Sequence, residues 1–339
     1  MKAIAYHAPG AIDRDDALVD IELPEPTPGP RDLLVEVRAI SVNPVDTKVR
    51  RSVAPEAGTP KVLGWDVAGI VRAVGAEVTL FSAGDEVFYA GSIARPGGNS
   101  ERHLVDERIV GHKPRTLDFA QAAALPLTAI TAWELLFDRL GVARDGGRGQ
   151  ALLVVGAAGG VGSILVQLAR RLTALKVIGT ASRPETAQWV RELGAHEVVD
   201  HARPLAAELA RVGVPQVDCI AGLTHTDAHW TQLVEALAPQ GAIGLIDDPA
   251  QPLDTNALKR KSGSLRWEFM FTRALFETAD MVRQHELLDE VARLVDAGVL
   301  RTTLGEHYGR IDAANLRRAH ALVESGRAKG KLVLEGFGG

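Results

Sequence analysis

Apolar and polar positions follow two different patterns along the chain. In its first part, short runs such as Leu33–Ile40, Val67–Val74 and Glu86–Tyr89 are separated by glycine and proline. Apolar side chains at every second position are typical of strands with one buried face. Strands this short, with turn residues between them, predict a compact barrel-like β domain. Pro24–Pro30 is expected to be an extended loop, because proline fixes φ and lacks an N–H donor.

From Ala151 onward, apolar runs alternate with segments of helical periodicity. The strand candidates are Leu152–Val155, Lys176–Thr180, Glu197–Val199, Val217–Ile220 and Ala242–Ile246. The helical candidates between them are Val161–Leu172, Pro184–Leu193, Leu205–Arg211 and Ala228–Leu237. This alternation predicts a doubly wound parallel sheet with right-handed crossovers. After Ser262 the pattern becomes irregular and aromatic, and the later candidates are helices at His285–Ala297 and Asp312–Glu324 and a strand at Lys331–Glu335.

Two further segments have local signals for helices. Asp118, followed by Gln121 three residues later, has the pattern of a capping box at a helix start. Pro126 is expected to divide that helix, so that a second helical segment runs from Thr128 to Leu140. Asn43–Lys48 is expected to form a turn, with a single helical turn as an option.

The glycine-rich segment after Leu152–Val155 is the main functional signal. It opens a periodic helix directly after an apolar strand, and the first N–H groups of such a helix favour an anion. In the register of a dinucleotide fingerprint, Gly159 and Gly162 occupy glycine positions and Ala157 replaces the first glycine. The alternative is a glycine turn used only for tight packing. We expect a dinucleotide to contact Ala158, Gly159, Gly160, Val161 and Gly162.

The choice of nucleotide depends on the end of the second strand of this unit. Enzymes that prefer NADH normally have an acidic residue there for the ribose 2′-hydroxyl, and this chain has Ala181. Ser182 and Arg183 follow, and a guanidinium group suits a phosphate. The sequence therefore predicts NADPH. The alternative is that Ser182 caps the helix that begins at Pro184 and that Arg183 is solvated.

Composition excludes several classes of protein. A chain of 339 residues favours two domains, and its net charge of −5 gives no basic surface for nucleic acid. The single Cys219 cannot form an internal disulfide, and 46 % apolar with 24 % charged residues is ordinary for a soluble protein. The first residues are too polar for a signal peptide, and no apolar run is expected to span a membrane. A cytoplasmic protein is the expectation.

Five ordered motifs resemble those of one family. They are Ser41–Asp46, Leu63–Gly69, Leu125–Ala129, Ala157–Gly162 and Gly330–Leu334. The chain resembles medium-chain dehydrogenases/reductases of the zinc-independent quinone-oxidoreductase branch, and within it the bacterial proteins labelled zinc-type alcohol dehydrogenase-like. The resemblance implies a GroES-like β-barrel catalytic domain at 1–125, a Rossmann domain at 126–268 and a return to the catalytic domain at 269–339. It also implies a homodimer or homotetramer.

The label "zinc-type" does not fit the residues at the metal positions. Where zinc-dependent relatives have a cysteine, a histidine and a second cysteine, this chain has Asn43, Trp65 and, approximately, Ala124. Tryptophan and alanine cannot ligate zinc, and asparagine ligates it poorly. The cysteine-rich loop of a structural zinc site is also missing, and Cys219 is expected to be a buried, inert thiol. We therefore expect no metal.

A reaction without zinc favours a conjugated acceptor. In a quinone or an α,β-unsaturated carbonyl compound the arriving charge spreads over several atoms, so that one or two hydrogen-bond donors suffice. Three candidate catalytic residues follow. Asn43 either directs its amide at the reacting centre or forms a turn before Pro44. Thr128 would contact the nicotinamide by resemblance, or it caps a helix. Tyr89 is either a proton donor or a wall residue, and the wall is favoured.

Other polar residues are assigned structural roles. Asp46 and Asp66 match acidic positions of the family and are expected to support the site. Lys331 is expected to be a solvent-facing strand residue, with a cofactor contact as the alternative. His225 and His229 are expected to be solvated.

The leading function is an NADPH-dependent reductase of quinones or activated alkenes. A zinc-type alcohol dehydrogenase and a non-catalytic NADPH-binding or sensing protein are the alternatives.

Overall fold

The computed structural model describes residues 1–338, and its chain forms two compact units. Unit 1 combines Met1–Ile130 with the chain from Phe271 onward, and unit 2 is the continuous segment Thr131–Met270. The division expected from the sequence, with a GroES-like domain at 1–125, a Rossmann domain at 126–268 and a return segment at 269–339, stays a prediction.

The strands of unit 1 are β1 Lys2–Tyr6, β2 Val19–Glu22, β3 Asp32–Val42, β4 Lys61–Val62, β5 Val67–Val74, β6 Glu86–Tyr89, β7 Arg102–Asp106 and β8 Val110–His112, followed after unit 2 by β15 Leu304–His307 and β16 Lys331–Glu335. The strands of unit 2 are β9 Ala151–Val155, β10 Lys176–Thr180, β11 Glu197–Val199, β12 Val217–Gly222, β13 Leu237–Leu245 and β14 Ser264–Trp267.

The α-helices are α1 Pro44–Ser52, α2 Phe119–Ala123, α3 Pro126–Trp133, α4 Gly160–Leu172, α5 Pro184–Glu192, α6 Leu205–Arg211, α7 Thr226–Ala236, α8 Thr272–Leu275, α9 Arg283–Asp296 and α10 Ala313–Glu324. Short 3₁₀ segments occupy Glu107–Ile109 and Thr255–Lys261, and a π-helical segment, Glu134–Arg139, continues α3.

Unit 2 contains the predicted parallel sheet. Its strand order is β11-β10-β9-β12-β13-β14, and every neighbouring pair is parallel. The central strand β9 is buried along its whole length, as a strand covered by helices on both faces must be. The sheet reverses its winding direction between β9 and β12, and ligands of such sheets bind at the carboxyl ends of the strands near that point.

Strand β14 was not predicted. It adds to the sheet beside β13, pairing Ser264 with Ala242 and Trp267 with Leu245. The segment was interpreted as irregular because its side chains do not alternate, and Trp267 lies half exposed. An edge strand has one partner only, so its sequence is less constrained than that of β9.

Unit 1 contains the predicted short-stranded β domain. Strands β2-β1-β4 form one antiparallel sheet, and a second sheet has the order β15-β16-β3-β5-β6-β8, with β7 also paired to β3. Gly69 in β5 is required by close packing, because a Cβ atom there would lie 2.2 Å from the carbonyl oxygen of Glu36. Strand β16 places Lys331 next to the end of β3.

One helix prediction needs a correction. Asn43–Lys48 is not merely a turn, because α1 continues through Ser52, with Pro44 at its first position and the Asp46 carboxylate accepting the N–H of Asn43. The capping box at Asp118 and Gln121 is confirmed, and Pro126 does begin a separate helix.

The helical stretch Phe119–Arg139 is long and apolar enough to cross a membrane by length and composition, contrary to the sequence-based expectation. Of the 18-residue window that meets this criterion, 83 % is buried inside the protein, as in a core helix.

Candidate active site

The glycine turn of unit 2 joins β9 to α4. Gly156 adopts φ +81°, a left-handed conformation that glycine enters without steric cost. Ala157, at the position of the usual first glycine, is buried, and it is absent from the residues with positive φ. Alanine is therefore compatible with this turn, because the neighbouring Gly156 supplies the unusual backbone conformation.

Two other glycines of the turn have different roles. At Gly162 a Cβ atom would lie 2.4 Å from the carbonyl oxygen of Gly156 and 2.6 Å from the Cα of Ala157, so this glycine allows α4 to pack closely on β9. At Gly159 a Cβ atom would lie 3.5 Å from the carbonyl oxygen of Gly156, an ordinary contact distance, so this glycine is not required by close packing. Gly159 is also the N-cap of α4, and no side chain caps the helix there. The turn therefore fits a dinucleotide pyrophosphate, with Ala158, Gly160 and Val161 at the start of the same helix.

The end of β10 lies beside this turn. The Thr180 hydroxyl accepts the N–H of Gly156 at 3.1 Å and also contacts Nδ1 of His201 at 3.2 Å. Ala181 is buried, Ser182 is exposed, and Arg183 pairs its Nε with Oε1 of Glu185 at 3.3 Å.

The N-cap of α5 is Arg183 rather than Ser182. The alternative in which Ser182 caps this helix is therefore wrong.

The amide of Asn43 is enclosed in unit 1. Its Nδ2 donates to Asp66 Oδ2 at 2.8 Å and to the carbonyl oxygen of Trp65 at 3.3 Å, while its Oδ1 accepts from Nζ of Lys331. The side chain is buried. Both amide hydrogens and the amide oxygen have partners inside the protein, so the expectation that this amide points at a reacting group is not met.

Lys331 is the site residue that sequence reasoning placed wrongly. Its side chain is only 3 % exposed, although a solvent-facing lysine was expected. Its Nζ donates to the carbonyl oxygen of Val42 at 3.0 Å, to Asp66 Oδ2 at 2.9 Å and to Asn43 Oδ1. A lysine ammonium has three N–H donors, and these three acceptors satisfy all of them.

Asp66 connects this ammonium to helix α3. Besides Lys331 and Asn43, its Oδ2 accepts from the Ser41 hydroxyl at 3.1 Å, and its Oδ1 accepts the N–H of Leu127 at 2.7 Å. Leu127 is the second residue of α3, so the carboxylate binds the positive end of that helix. Thr128 comes next, is buried, and donates its hydroxyl to the carbonyl oxygen of Leu125 at 3.0 Å.

A second carboxylate, Asp46, lies in the same cluster. It accepts the N–H of Asn43 at 2.7 Å and the N–H of Gly64 at 3.0 Å. Burial, assisted by the charge of Asp66 and opposed by the two N–H groups and Lys331, raises the pKa of this carboxyl to about 7. Asp46 and Asp66 therefore have the structural role that the sequence predicted, within a cluster that Lys331 completes.

Tyr89 is part of the interior of unit 1. Its hydroxyl contacts His103 Nδ1 at 3.0 Å, the two rings stack with centroids 5.6 Å apart, and Tyr89 has no exposed surface. Burial raises the pKa of Tyr89 well above its ordinary value and lowers the pKa of His103 to about 4. Because the other ring nitrogen of neutral His103, Nε2, donates to the carbonyl oxygen of Pro96 at 2.9 Å, Nδ1 accepts the hydrogen bond from the Tyr89 hydroxyl. The hydroxyl of Tyr89 is thus enclosed and bonded inside unit 1, which favours the wall residue over the proton donor, and the role of Tyr89 stays a prediction.

The other two metal positions contain no ligand atoms in their side chains. Trp65 is buried and donates its Nε1 to the carbonyl oxygen of Ser92 at 3.2 Å. Ala124 is buried beside Thr303, whose hydroxyl donates to its carbonyl oxygen at 2.8 Å. Across residues 1–338, no group of three or more histidine, cysteine, aspartate or glutamate side chains is arranged to hold a metal. The residues present do not fit a zinc ion.

Within residues 1–338, Cys219, His225 and His229 give no alternative site. Cys219 is buried in β12, and burial raises the pKa of its thiol to about 11. His225 is exposed, and the ring of the partly buried His229 packs edge-on against His201 with centroids 6.0 Å apart. The expectation that His225 and His229 are both solvated holds only for His225.

Two family models match the chain. One described as "Alcohol dehydrogenase GroES-like domain" matches residues 29–123, and one described as "Zinc-binding dehydrogenase" matches residues 193–334. A zinc-type alcohol dehydrogenase-like protein of Staphylococcus aureus is 40 % identical over 336 residues, which cover 98 % of this chain and 99 % of that protein.

Solved structures agree in fold along the whole chain. A Rhizobium etli protein, provisionally described as a zinc-dependent alcohol dehydrogenase, has a TM-score of 0.95 and 58 % identity, covering 100 % of this chain and 98 % of its own. The quinone oxidoreductase of Escherichia coli, solved in complex with NADPH, has a TM-score of 0.85 and 26 % identity, covering 99 % and 100 %. The predicted combination of a GroES-like β-barrel domain with a Rossmann sheet is confirmed.

Proposed function

The chain belongs to the quinone oxidoreductase-like branch of the medium-chain dehydrogenase/reductase superfamily, an NAD(P)H oxidoreductase family, and we propose that it reduces quinones or other conjugated carbonyl compounds with NADPH and without zinc. The observation that carries the proposal is the pair of buried residues Trp65 and Ala124 at the metal positions. Neither offers a side-chain ligand, so the Lewis-acid activation that a simple alcohol or ketone needs is not supplied by these residues.

NADPH would be held by residues of unit 2. The first turn of α4, from Gly159 to Gly162, binds the pyrophosphate through backbone N–H groups and the helix dipole. Ser182 and Arg183 bind the 2′-phosphate, since Ala181 places no carboxylate there to repel it. When bound, this cofactor supplies the hydride.

The residues of unit 1 would orient the nicotinamide and the substrate rather than polarise the substrate carbonyl group. Thr128 contacts the nicotinamide and fixes its plane, while Asn43 acts as a buried support instead of a donor to the substrate. A conjugated acceptor needs little more, because it disperses the incoming negative charge over its own π system. This is the reason for choosing a quinone or an enone over a simple ketone.

One observation favours a second candidate function. Asn43 and Tyr89 both have their polar groups engaged inside the protein, so neither offers a proton to a substrate. A protein that binds NADPH without turnover, as a sensor, would need no such donor. A zinc-type alcohol dehydrogenase, the activity named for relatives, is disfavoured by the residues at the metal positions.

In the proposed function, the substrate is a small molecule. Assembly into a homodimer or homotetramer stays a prediction, as does a cytoplasmic location.

A panel of acceptors tests the proposal. The purified protein is incubated with NADPH or NADH and one of three acceptors: 9,10-phenanthrenequinone, 1,2-naphthoquinone or an enone. In a separate assay it is incubated with a simple alcohol and the oxidised cofactor. Loss of NADPH absorbance with a quinone or enone, unchanged by a chelator, is expected. Tight NADPH binding without turnover on the whole panel would support the sensor. Turnover of the simple alcohol that a chelator abolishes would support the zinc enzyme.

A further inference from the structure

We propose that Lys331 is the positioning residue of the redox site: its buried ammonium fixes Asn43 and Asp66, and through Asp66 it fixes the start of the helix that carries Thr128. The inference rests on the proposed contact of Thr128 with the nicotinamide. It assigns to a lysine of a distant strand an ordering role, without any role for that lysine in the chemical step.

The first support is the burial of the charge. Lysine is almost never fully buried unless it is paired, and here the side chains of Lys331 and Asp66 are 3 % and 0 % exposed, with 2.9 Å between Nζ and Oδ2. Asp46 places a second carboxylate in the same cluster. Removing the ammonium alone would leave Asp66 as an uncompensated buried charge, which is strongly unfavourable.

The second support is the connectivity of the cluster. Lys331 binds the end of β3 at Val42 and Asn43, and it shares Asp66 Oδ2 with Asn43. The other oxygen of Asp66 binds the N–H of Leu127, directly before Thr128. A carboxylate free to rotate would not hold that N–H in place, whereas the ammonium, Ser41 and Asn43 together fix the orientation of the Asp66 side chain.

The third support excludes a direct catalytic role. All three N–H donors of Lys331 are used by protein acceptors, and the side chain is enclosed. It therefore has no donor left for a substrate or for the nicotinamide. Its effect on function must pass through the residues that it holds, which makes it a positioning residue.

The test compares the binding of two ligands. NADPH contains the nicotinamide, and 2′,5′-ADP contains only the adenosine end with the 2′-phosphate. In Lys331→Met, affinity for NADPH should fall about fivefold, the effect of one hydrogen bond, while affinity for 2′,5′-ADP stays within about twofold. Isothermal titration calorimetry measures both constants without turnover. If the wild type prefers NADH, the pair becomes NADH and 5′-AMP.

Lys113→Met is the matched control. Lys113 is also a buried lysine of unit 1, with Nζ bonded to the carbonyl oxygens of Pro114 and Leu117 and paired with Glu86, outside this cluster. It should lose stability without changing the ratio of the two affinities. Equal weakening of both ligands in Lys331→Met, or the same selective loss in Lys113→Met, would overturn the inference.

A second variant keeps the inference testable where Lys331→Met does not fold. Lys331→Met combined with Asp66→Asn removes both members of the ion pair, so Asp66 is not left as an unpaired buried charge. The double variant should show the same selective loss for NADPH, since the contact to Leu127 is no longer held; wild-type affinity for both ligands would refute the inference. Failure of the proposed function is a separate result, namely a wild-type protein that binds NADPH and reduces no acceptor.

Discussion

The Thr180 hydroxyl accepts a hydrogen bond from the backbone N–H of Gly156 at 3.1 Å. This contact joins the end of β10 to the left-handed residue of the glycine turn. The two segments proposed to hold opposite parts of one nucleotide, the pyrophosphate turn and Ser182–Arg183, are therefore adjacent and mutually fixed. A side chain that follows β10 can select the cofactor without disturbing the turn.

Arg183→Ala should reverse or abolish the preference for NADPH. Loss of a guanidinium bound to a phosphate is expected to lower kcat/KM for NADPH by about tenfold to a hundredfold, with little change for NADH. Steady-state kinetics with both cofactors measures the ratio. Arg191→Ala, at the other end of the same helix, is the control and should leave the ratio unchanged. If Arg183→Ala leaves the ratio of kcat/KM for NADPH to that for NADH unaltered, Arg183 does not bind the 2′-phosphate.

Thr128→Val should lower turnover and leave the fold intact. Valine keeps the shape of the side chain, but the hydroxyl that we place against the nicotinamide is lost, at a cost of about 1 kcal/mol, or about fivefold in rate. Thr47→Val is matched to it, because Thr47 in α1 is also buried and also donates to the carbonyl three residues earlier, at 2.9 Å. A similar loss of activity in both variants would mean that the hydroxyl of Thr128 acts only within its helix.

The purified protein should contain no stoichiometric zinc. Elemental analysis after expression with added zinc measures the content, and turnover with a chelator is compared with turnover without it. The physical reason is the side chains of Trp65 and Ala124, which offer no ligand atom. One zinc per chain, lost together with activity on chelation, would contradict the proposal.

His320 should make the protein labile to acid. The ring is buried, neither of its nitrogens has a hydrogen-bond partner within residues 1–338, and burial, assisted by the charge of Arg50, lowers its pKa from an ordinary 6.5 to about 3. Unfolding lets this histidine bind a proton between those two values. The contribution of His320 to the free energy of unfolding should therefore fall by about 1.4 kcal/mol per pH unit as the pH decreases from 6.5 toward 3.

Urea titrations from pH 7 to pH 4.5 would measure this slope. His320→Leu should reduce the slope of the unfolding free energy against pH by the amount expected for one proton, about 1.4 kcal/mol per pH unit. His7→Leu, at an exposed position, should leave the slope unchanged. Equal slopes for His320→Leu and wild type would show that His320 does not titrate as its burial requires.

Glu268 should act in the opposite direction. Burial, and then the nearby carboxyl of Glu134, raises the pKa of Glu268 to about 8 in spite of Arg139, whose Nε donates to Glu268 Oε2 at 2.8 Å. The folded state therefore holds a proton that the unfolded state releases above its ordinary pKa of 4.5. Stability from this group should be complete below pH 4.5 and be lost as the pH rises to about 8.

Glu268→Gln should flatten the stability profile between pH 5 and pH 8, measured by urea unfolding. The exposed Glu185→Gln serves as the comparison and should retain the wild-type profile. A Glu268→Gln protein with the wild-type pH dependence would contradict the assignment.

The repeating pattern made most of unit 2 predictable. Strands β9, β10 and β11 were placed almost to the residue, because buried parallel strands are short apolar runs and the glycines and prolines around them limit their extent. Strand β14 could not be found in this way, because at the sheet edge its order comes from pairing with β13. The length of α1 was also missed, since polar residues such as Lys48 and Arg51 hide its periodicity.

The sequence was sufficient to predict which residues belong to the site, but not which contacts their side chains make. Lys331 looked like an exposed strand lysine because its acceptors, Asn43 and Asp66, lie in other parts of the sequence. The same long-range contacts turn Asn43 inward. Tyr89 differs, because His103 was visible nearby in sequence, but nothing indicated that β6 and β7 would bring the two rings together. Local patterns predict elements, and tertiary contacts decide what each polar side chain faces.

The position of β16 has a consequence for biosynthesis. This strand lies between β3 and β15 in its sheet, yet the ribosome makes it only after all of unit 2. Unit 2 is one continuous segment and can fold as soon as it emerges, whereas the earlier part of unit 1 must wait with an unpaired β3 edge and an Asp66 carboxylate without its cation. During the last part of translation, therefore, unit 2 can be complete while unit 1 still lacks the strand that completes its sheet and the ammonium that pairs with Asp66.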